Sequence, residues 1–307
     1  MQEVDYSVVV PVYNSEATLE ELFKRTQSVF TSLKKSFEII FVDDGGKDGS
    51  WEILQSLKKD FPDVVKAIKL TKNYGQHNAV LCGLSFCKGQ QIITIDDDLQ
   101  NPPEEIKKLI QKYEETKSDL VYGFYKKKKH SLWRNAGSKL VKRSGKAFQE
   151  GPGEGSSFRL IDKHLMDEIL LHHQNFVFID ELFLWYTEDI SFVEVAHESR
   201  KNNESGYTFW KLFKMMFNIT IYYTTLPLKI MTVIGLISSV LSFGFAVRFL
   251  VRKLFFDVPL GYTSIIVTVL FSASLILFSL GIIGEYLNRI YIVQNKKPPY
   301  SIKKVLK

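Results

Sequence analysis

An apolar strand that ends in three consecutive carboxylates constrains this chain more than any other feature. Ile92–Ile95 is apolar and largely β-branched, as in a buried strand, and it runs directly into Asp96–Asp98. Three carboxylates at one strand end repel one another, and a divalent cation removes that cost. Hard oxygen ligands suit Mg²⁺ or Mn²⁺, and Mg²⁺ is usually shared between one or two carboxylates and the phosphates of a substrate. The pattern therefore predicts a metal–phosphate site, with a solvated acidic turn as the alternative.

Strands and helices alternate along the first 200 residues. Apolar runs begin near residues 6, 37, 64, 92 and 120, and segments with the apolar spacing of helices follow the first four. The first of these helices has Ser15 as its expected N-cap. This alternation predicts an α/β domain with a mostly parallel sheet. Ligands of such sheets bind at the carboxyl ends of the strands, where Asp96–Asp98 and a second acidic loop, Asp43–Ser50, are both expected.

The glycine-rich loop Asp43–Ser50 is the second candidate site. Glycines let the backbone approach a ligand closely, and a carboxylate can accept hydrogen bonds from a uracil imide or from ribose hydroxyls. We interpret the loop as a nucleotide pocket. A Ca²⁺ site suits it less, because the ligand ladder and closing Glu of an EF-hand are missing, and a plain glycine-rich turn is the structural alternative.

Basic clusters set the formal charge of +6 and indicate anionic partners. They lie at Lys126–Lys129, at Lys139–Lys146 and from Lys296 onward, close to apolar segments and without a nucleic-acid-binding motif. Lipid headgroups or phosphorylated ligands are therefore favoured over nucleic acid. The long polar segment 124–155 is interpreted either as a functional lid or as a solvated basic helix.

Two apolar segments near the C-terminus are long enough to cross a membrane. Residues about 226–251 and about 260–287 each exceed the roughly 20 residues that a spanning helix needs. A short connection predicts a transmembrane hairpin, and two buried core helices are the alternative. Segment 207–225 mixes aromatic residues with lysines, as in a helix at the membrane interface, although a helix packed on the soluble domain is also consistent with it.

These features divide the chain into four parts. We predict a catalytic domain at 1–206, a juxtamembrane amphipathic segment at 207–225, the hairpin at 226–290 and a basic tail at 291–307. The lysines of the tail predict that both termini are cytoplasmic. The N-terminus enters a strand directly after Asp5, so no signal peptide is expected.

Short motifs along nearly the whole chain carry a family resemblance. They are Val8–Asn14, Asp43–Gly45, Asn73–His77, Asp96–Glu104 and Gly281–Tyr286. Together they resemble the family 2 inverting glycosyltransferases with the GT-A fold, a Rossmann-like α/β architecture. More narrowly, the chain is similar to the polyprenyl-phosphate glycosyltransferases with two C-terminal transmembrane helices, among them bacterial undecaprenyl-phosphate sugar transferases of the formamido-arabinose type.

The resemblance implies a set of site residues. Asp44 is expected to contact the nucleotide, and Asp96 and Asp98 to contact the diphosphate and the metal, Mg²⁺ or Mn²⁺. The other nucleotide-binding candidates are Pro11, Tyr13, Asp43, Gly45, Lys72, Gln76 and Asp97. The candidates for the acceptor phosphate are Arg134, Ser138, Lys139, Arg159, Arg200 and Ser205.

The chain departs from the family pattern at three places. In the first loop, Gly46 follows Gly45 where many members have a serine. Many relatives carry an Asp, proposed as a catalytic base, where this chain has Ser157 before Phe158–Leu160. Because a phosphomonoester acceptor is already anionic near neutral pH, we interpret the change as a subfamily difference, with Glu154 as a substitute. The segment Arg200–Tyr207 also lacks the glycine and the lysine of the family's acceptor element.

The function implied by the resemblance is inverting transfer of a sugar from a nucleotide-diphosphate donor, expected to be UDP-linked, to undecaprenyl phosphate. The enzyme would lie in the bacterial inner membrane as a homo-oligomer, such as a tetramer, and serve envelope glycan or lipopolysaccharide modification. Processive polysaccharide synthases also resemble the chain, but their Gln-x-x-Arg-Trp motif and additional spans do not occur in it. A sugar nucleotidyltransferase would need a different glycine-rich signature. A non-catalytic nucleotide-sugar-binding membrane protein is the remaining alternative.

Overall fold

A mixed β-sheet organises the first part of the computed structural model, which describes residues 4–125, 157–171, 178–198, 226–255, 261–294 and 298–306. Strands and helices alternate in the order β1 Tyr6–Val12, α1 Leu19–Leu33, β2 Phe37–Asp43, α2 Ser50–Asp60, β3 Val65–Leu70, α3 Gln76–Leu84 and β4 Gln91–Thr94. A 3₁₀ turn at Pro103–Glu105 leads into α4 Ile106–Thr116, followed by β5 Leu120–Phe124. The remaining elements of this part are β6 Arg159–Asp162, α5 Lys163–Leu170, α6 Ile179–Tyr186 and β7 Ile190–Glu194. The alternation predicted from the sequence is confirmed.

The strand order places β1 near the middle of the sheet. With β8 Ile302–Leu306 included, the order is β7-β5-β6-β4-β1-β2-β3-β8. Strand β1 pairs in parallel with β2 and β4, β2 pairs in parallel with β3, and β5 with β7. Strand β6 is antiparallel to both β4 and β5, and β8 is antiparallel to β3. The carboxyl ends of β1 to β4 therefore lie along one edge of the sheet, as the predicted α/β fold requires.

Helices cover both faces of this sheet, which explains why its central strands are largely apolar, with Ser7 and Glu38 as buried polar residues that bind each other. All seven residues of β1 are buried. Val8 and Val10 pack in a core that includes residues of α1, α2 and α4, whereas Val9 packs in a second core that includes residues of α3, α5 and α6. Because successive side chains of a strand point to opposite faces, a strand covered on both sides has no polar positions to spare.

The C-terminal strand differs from the sequence prediction. Residues 291–307 were expected to form a basic tail, but Ile302–Leu306 pairs antiparallel with β3, and residues 298–307 group with 1–206 in one compact unit. Val305 packs against one core of the sheet and Leu306 against the other. Two of the lysines that indicated a tail, Lys303 and Lys304, are exposed in this edge strand, as is Ile302, and lysine is a common means of protecting a sheet edge.

The second compact unit, residues 207–297, contains two long helices in its described part. They are α7 Leu226–Phe255 and α8 Tyr262–Gln294, and they contact each other. Among the residues that the structure describes, one helical segment, Phe271–Asn288, is apolar and long enough to cross a membrane. It falls largely within the second predicted span, whereas the first span, about 226–251, stays a prediction.

The pairing of β8 leads to a stability prediction. Replacing both Val305 and Leu306 by alanine removes half-buried apolar groups from the two cores, and we expect a loss of about 1–3 kcal/mol in the free energy of unfolding. Denaturant unfolding of the full chain in detergent, followed by tryptophan fluorescence, measures it. The matched control replaces exposed Lys303 and Lys304 by alanine, for which the change should stay within about 0.5 kcal/mol. Equal stability of the two double variants would contradict the packing role of β8.

Candidate active site

Loops from four parallel strands meet at the carboxyl edge of the sheet. The strand register places Val12 beside Asp43, and Asp43 beside Lys69. The backbone N–H of Asp44 donates to the carbonyl of Val12 at 2.9 Å, and that of Ile95 donates to the carbonyl of Val9 at 3.1 Å. The two acidic motifs of the sequence therefore flank the end of β1, one on each side.

Asp97 joins the loop after β4 to the loop after β1. Its Oδ2 accepts hydrogen bonds from the backbone N–H of Tyr13, at 3.0 Å, and from the hydroxyl of Ser15. Its backbone carbonyl accepts a hydrogen bond from Thr18 Oγ1 at 2.6 Å. Burial raises the pKa of Asp97. Asp97 therefore binds protein donors through Oδ2, and its expected contact with the nucleotide stays a prediction. The expectation for Ser15 is corrected, because Ser15 binds Asp97 instead of capping α1, which begins at Leu19.

Asp96 is half-buried and held at both carboxylate oxygens. Gln76 Nε2 donates to Oδ1 at 2.5 Å, and the Ser157 hydroxyl donates to Oδ2. The pKa of Asp96 is raised to about 6, first by burial and then by the charges of Asp98 and Asp97, against the opposing effect of the Ser157 hydrogen bond. Ser157, noted in the sequence as a departure from the family, is thus a partner of the first carboxylate of the motif. No local sequence signal identified that contact.

Asp98 has a different environment from its two neighbours. Its Oδ1 accepts the backbone N–H of Gln100 at 3.1 Å. Leu99, between them, adopts a left-handed conformation with φ of 59° and is buried. A left-handed residue with a side chain costs roughly 1–2 kcal/mol, so the loop around Asp98 must be held by other contacts.

The donor set of Asp96 and Asp98 fits a divalent cation. Both are hard oxygen ligands, and burial beside like charges, which raises the pKa of Asp96, is a cost that a cation offsets. Across the described ranges, no group of three His, Cys, Asp or Glu side chains is placed to hold a metal ion. Two carboxylates plus the phosphates of a substrate is the arrangement that Mg²⁺ commonly takes.

The turn after β2 is shaped by buried carboxylates. Asp44, 3% exposed, accepts the backbone N–H groups of Tyr74 at 2.7 Å and Gly75 at 2.8 Å, and its burial raises its pKa. Asp43 accepts the N–H of Gly46 at 2.8 Å. The Lys69 ammonium lies 3.3 Å from the other oxygen of Asp43, without the alignment of a hydrogen bond. Asp44 therefore joins the loops after β2 and β3, whereas Asp43 contacts its own loop and strand β3.

Gly45 is required where these loops meet. Its φ is +72°, and a Cβ at this position would lie 2.6 Å from the backbone carbon of Lys72. Any side chain would therefore collide with the neighbouring loop as well as strain the backbone. The glycine of the sequence motif is explained by this close approach of two loops.

The predicted nucleotide-binding residues divide by exposure. Tyr13 is 49% exposed, and Lys72 and Gln76 are also exposed. The Lys72 ammonium lies 5.2 Å from the centroid of the Tyr74 ring. Pro11, by contrast, is buried within β1 opposite Val42, which corrects its expected role as a ligand contact.

Arg159 was expected to bind the acceptor phosphate, and the structure contradicts this. The residue is 2% exposed, forms an ion pair with Asp180 and donates from Nε to Thr94 Oγ1 at 3.0 Å. Its guanidinium also lies over the rings of Tyr122 and Phe183, at 5.8 and 5.1 Å. The sequence could not identify Asp180 as its partner, because the two residues are 21 positions apart.

Six of the predicted site residues lie outside the described residues. They are Glu154, Arg134, Ser138, Lys139, Arg200 and Ser205. The juxtamembrane segment 207–225 lies outside them as well.

His77, next to Gln76, leads to a prediction about pH. Its ring packs 4.7 Å from that of Phe178, and burial lowers its pKa from 6.5 to about 4. Since the unfolded chain binds this proton more readily, His77 should reduce the free energy of unfolding as pH falls from about 6.5 to 4, by at most about 1.4 kcal/mol per pH unit. Denaturant titrations of the wild type and of His77→Gln across pH 4.5–8 test this. A stability difference that does not change with pH would contradict it.

The comparisons with known proteins agree with this arrangement. Residues 7–173 match the model of glycosyl transferase family 2. The chain is 35% identical to the undecaprenyl-phosphate 4-deoxy-4-formamido-L-arabinose transferase of Pseudomonas paraeruginosa (strain DSM 24068 / PA7), covering 98% of this chain and 90% of that protein. It is 32% identical to the transferase of the same name from Klebsiella pneumoniae (strain 342), covering 98% and 93%.

A solved structure supports the fold. The mannosyltransferase PcManGT of Pyrobaculum calidifontis, in complex with GDP-Man and Mn²⁺, superimposes with a TM-score of 0.51 at 16% identity, over 69% of this chain and 61% of that chain. The predicted GT-A fold is therefore confirmed. The family match and the relatives that share nearly its full length show that the chain belongs to glycosyl transferase family 2.

Proposed function

We propose that this protein transfers a sugar from a nucleotide-diphosphate donor, UDP-linked by expectation, to undecaprenyl phosphate at the cytoplasmic face of a bacterial inner membrane. The observation that carries the proposal is the pair Asp96 and Asp98 at the carboxyl edge of the sheet, across β1 from the turn that Asp44 shapes. The relatives named for transfer to undecaprenyl phosphate support the acceptor.

The donor is proposed to bind over the loops after β1 to β4. Tyr13, Lys72 and Gln76 are the exposed side chains there, so they can contact base, ribose or phosphate. Gly45 lets the loops after β2 and β3 approach each other closely, and the buried carboxylate of Asp44 fixes the loop that carries Tyr74. Nucleotide recognition then depends on preorganised loops rather than on one dominant contact.

Asp96 and Asp98 are proposed to hold Mg²⁺ or Mn²⁺ against the donor's diphosphate. When bound, the cation supplies positive charge that stabilises the departing diphosphate. Gln76 and Ser157 orient the Asp96 carboxylate for this task, because each donates to a different oxygen.

The reaction is proposed as a single displacement with inversion. An oxygen of the acceptor phosphate attacks the anomeric carbon as the bond from that carbon to the diphosphate oxygen breaks, and the electron pair leaves with the nucleotide diphosphate. A phosphomonoester is anionic near neutral pH, so no proton has to be removed from it. Ser157 in place of a carboxylate is compatible with this chemistry.

Acceptor delivery is assigned to the apolar helices. Large side chains such as Phe255, Leu277 and Phe271 are 75%, 68% and 67% exposed, more apolar surface than a water-soluble unit tolerates. We propose that α7 and α8 both span the bilayer, with both termini cytoplasmic and segment 207–225 at the interface, in a homo-oligomer such as a tetramer. Arg134, Ser138, Lys139, Arg200 and Ser205 remain proposed contacts for the acceptor phosphate, and Glu154 remains the proposed substitute for the catalytic base.

A transfer assay tests the function. Purified full-length protein in detergent, with undecaprenyl phosphate, Mn²⁺ and a panel of nucleotide sugars, should form one lipid-phosphate-linked sugar detectable by mass spectrometry. Asp98→Asn keeps the shape of the side chain but loses its charge, so the rate should fall by about 10²-fold or more. Nucleotide release without lipid product would indicate hydrolysis or another acceptor. Repeated addition of sugars would favour a processive synthase, and binding without turnover a non-catalytic protein.

Metal removal gives a separate prediction. Chelation should abolish transfer, and Mg²⁺ or Mn²⁺ should restore it, because the diphosphate charge and the carboxylates then lack a counterion. Titrating the metal back into chelated wild type and chelated Lys72→Met distinguishes the contribution of the metal from that of Lys72. The variant should need more donor but a similar metal concentration for half-maximal rate. Full activity of the chelated wild type would contradict the proposed metal site.

A further inference from the structure

The segment that follows Asp98 has a function that the proposed chemistry does not explain. It runs from Leu99 through the 3₁₀ turn Pro103–Glu105, and the sequence analysis identified it as a family motif without a physical reason for its residues. In the structure it lies between the catalytic carboxylates and helix α4. Its contacts connect it to α1 and to the loop after β7.

Arg25 of α1 binds this segment with a two-point contact. Its Nε donates to Glu104 Oε1 at 2.9 Å and its Nη2 to Glu104 Oε2 at 2.7 Å. Such paired hydrogen bonds fix orientation as well as distance, which a lysine ammonium does not do. The same guanidinium contacts Glu21 at 3.2 Å and Glu198 at 3.8 Å. The guanidinium lowers the pKa of Glu104.

Two further contacts join the same segment to the loop after β7. The backbone N–H of Glu198 donates to the carbonyl of Gln100 at 2.8 Å. The backbone N–H of Ala196 donates to Glu105 Oε2 at 2.9 Å. Arg25 reaches Glu104 and Glu198 at once, so one side chain spans the helix, the segment and the β7 loop.

These contacts lie on the far side of Asp98 from the anchor at Asp97. Asp97 is fixed to the β1 loop by Tyr13 and Ser15. After Asp98 the chain passes through the left-handed Leu99, whose conformation is unfavourable by itself and needs surrounding contacts to persist. The position of Asp98 therefore depends on what holds the chain from Gln100 onward.

We propose that Arg25 is a positioning residue for Asp98, holding Leu99–Glu105 so that the second carboxylate of the motif stays in place for metal and diphosphate. The inference rests on the proposed function for its catalytic consequence. The geometric part, that Arg25 immobilises Leu99 and Gln100, is independent of that function.

The test uses full-length protein, four single variants and one double variant. Arg25→Lys keeps the charge but loses the paired hydrogen bonds, Arg25→Met removes the charge, and Glu104→Gln alters the partner. The matched control is Lys24→Met on the neighbouring position of α1, which removes an exposed ion pair with Glu20 at 3.6 Å. Thermal unfolding identifies any variant that fails to fold. If Arg25→Met fails to fold, the test is made with Arg25→Lys.

Two measurements decide the proposal. Hydrogen exchange without metal should be faster at the amides of Leu99 and Gln100 in both Arg25 variants, and unchanged in Lys24→Met. In the transfer assay, the metal concentration for half-maximal rate should rise and kcat should fall by about tenfold or more in the Arg25 variants, since small misplacements of catalytic groups have effects of that size. KM for undecaprenyl phosphate should stay within about twofold, because none of the proposed acceptor contacts lies in this segment.

The outcomes separate this inference from the proposed function. Normal exchange and normal metal dependence in Arg25→Met would overturn the positioning role, whatever the wild type catalyses. A wild type without transfer activity, together with faster exchange in the Arg25 variants, would retain the geometric role and contradict the proposed function. If Arg25 and Glu104 act as one unit, Arg25→Met combined with Glu104→Gln should be no worse than Arg25→Met alone.

Discussion

Repulsion among the three carboxylates that follow β4 is the constraint on which the site depends. The structure separates them by giving each a different set of donors. Asp97 is bound by the β1 loop, Asp96 by Gln76 and Ser157, and Asp98 by a backbone amide of its own turn. Neutral donors do not fully offset the cost of the charge, since the pKa of Asp96 is still raised, first by burial and then by the charges of Asp98 and Asp97. A site arranged in this way has a remaining preference for positive charge, which is the physical basis for its proposed affinity for a metal-bound diphosphate.

A buried ion pair stabilises the strands that lead into this site. Arg159 forms an ion pair with Asp180. Its side chain also donates to Thr94 and lies over the rings of Tyr122 and Phe183. Because Arg159 pairs with Thr94 across the antiparallel β4–β6 ladder, it fixes the start of β6, and with it the hydroxyl of Ser157, beside Asp96. Removing one partner of such a pair leaves an uncompensated buried charge at a cost of about 3–5 kcal/mol. Arg159, which the sequence analysis took for a phosphate ligand, is therefore part of the scaffold that positions the Asp96 carboxylate.

The loop that carries Tyr74 and Gly75 is held from two sides. Asp44 binds the backbone amides of both residues, and at the start of the loop the N–H of Thr71 donates to the carbonyl of Ser301 at 2.9 Å. The second contact comes from the segment just before β8. A C-terminal strand that follows an apolar helix in the chain thus contributes to the edge of the sheet where the donor is proposed to bind. This gives the C-terminal residues a structural function beyond their positive charge.

Local patterns were sufficient for the class of the protein and for the position of its site. Alternating apolar runs determined the α/β fold, and the rule that ligands bind at the carboxyl ends of parallel strands placed Asp43–Ser50 and Asp96–Asp98 at one edge. Which carboxylates of each motif are bound by other loops of the protein was decided only by tertiary contacts. Asp97 and Arg159 are chemically suitable ligands, yet they are occupied by Tyr13 and Ser15 in one case and by Asp180 in the other. Such partners lie 21 to 84 residues away in sequence. Composition and spacing indicate which ligands a residue could bind. Only the folded structure determines whether another side chain or backbone group of the protein already binds that residue.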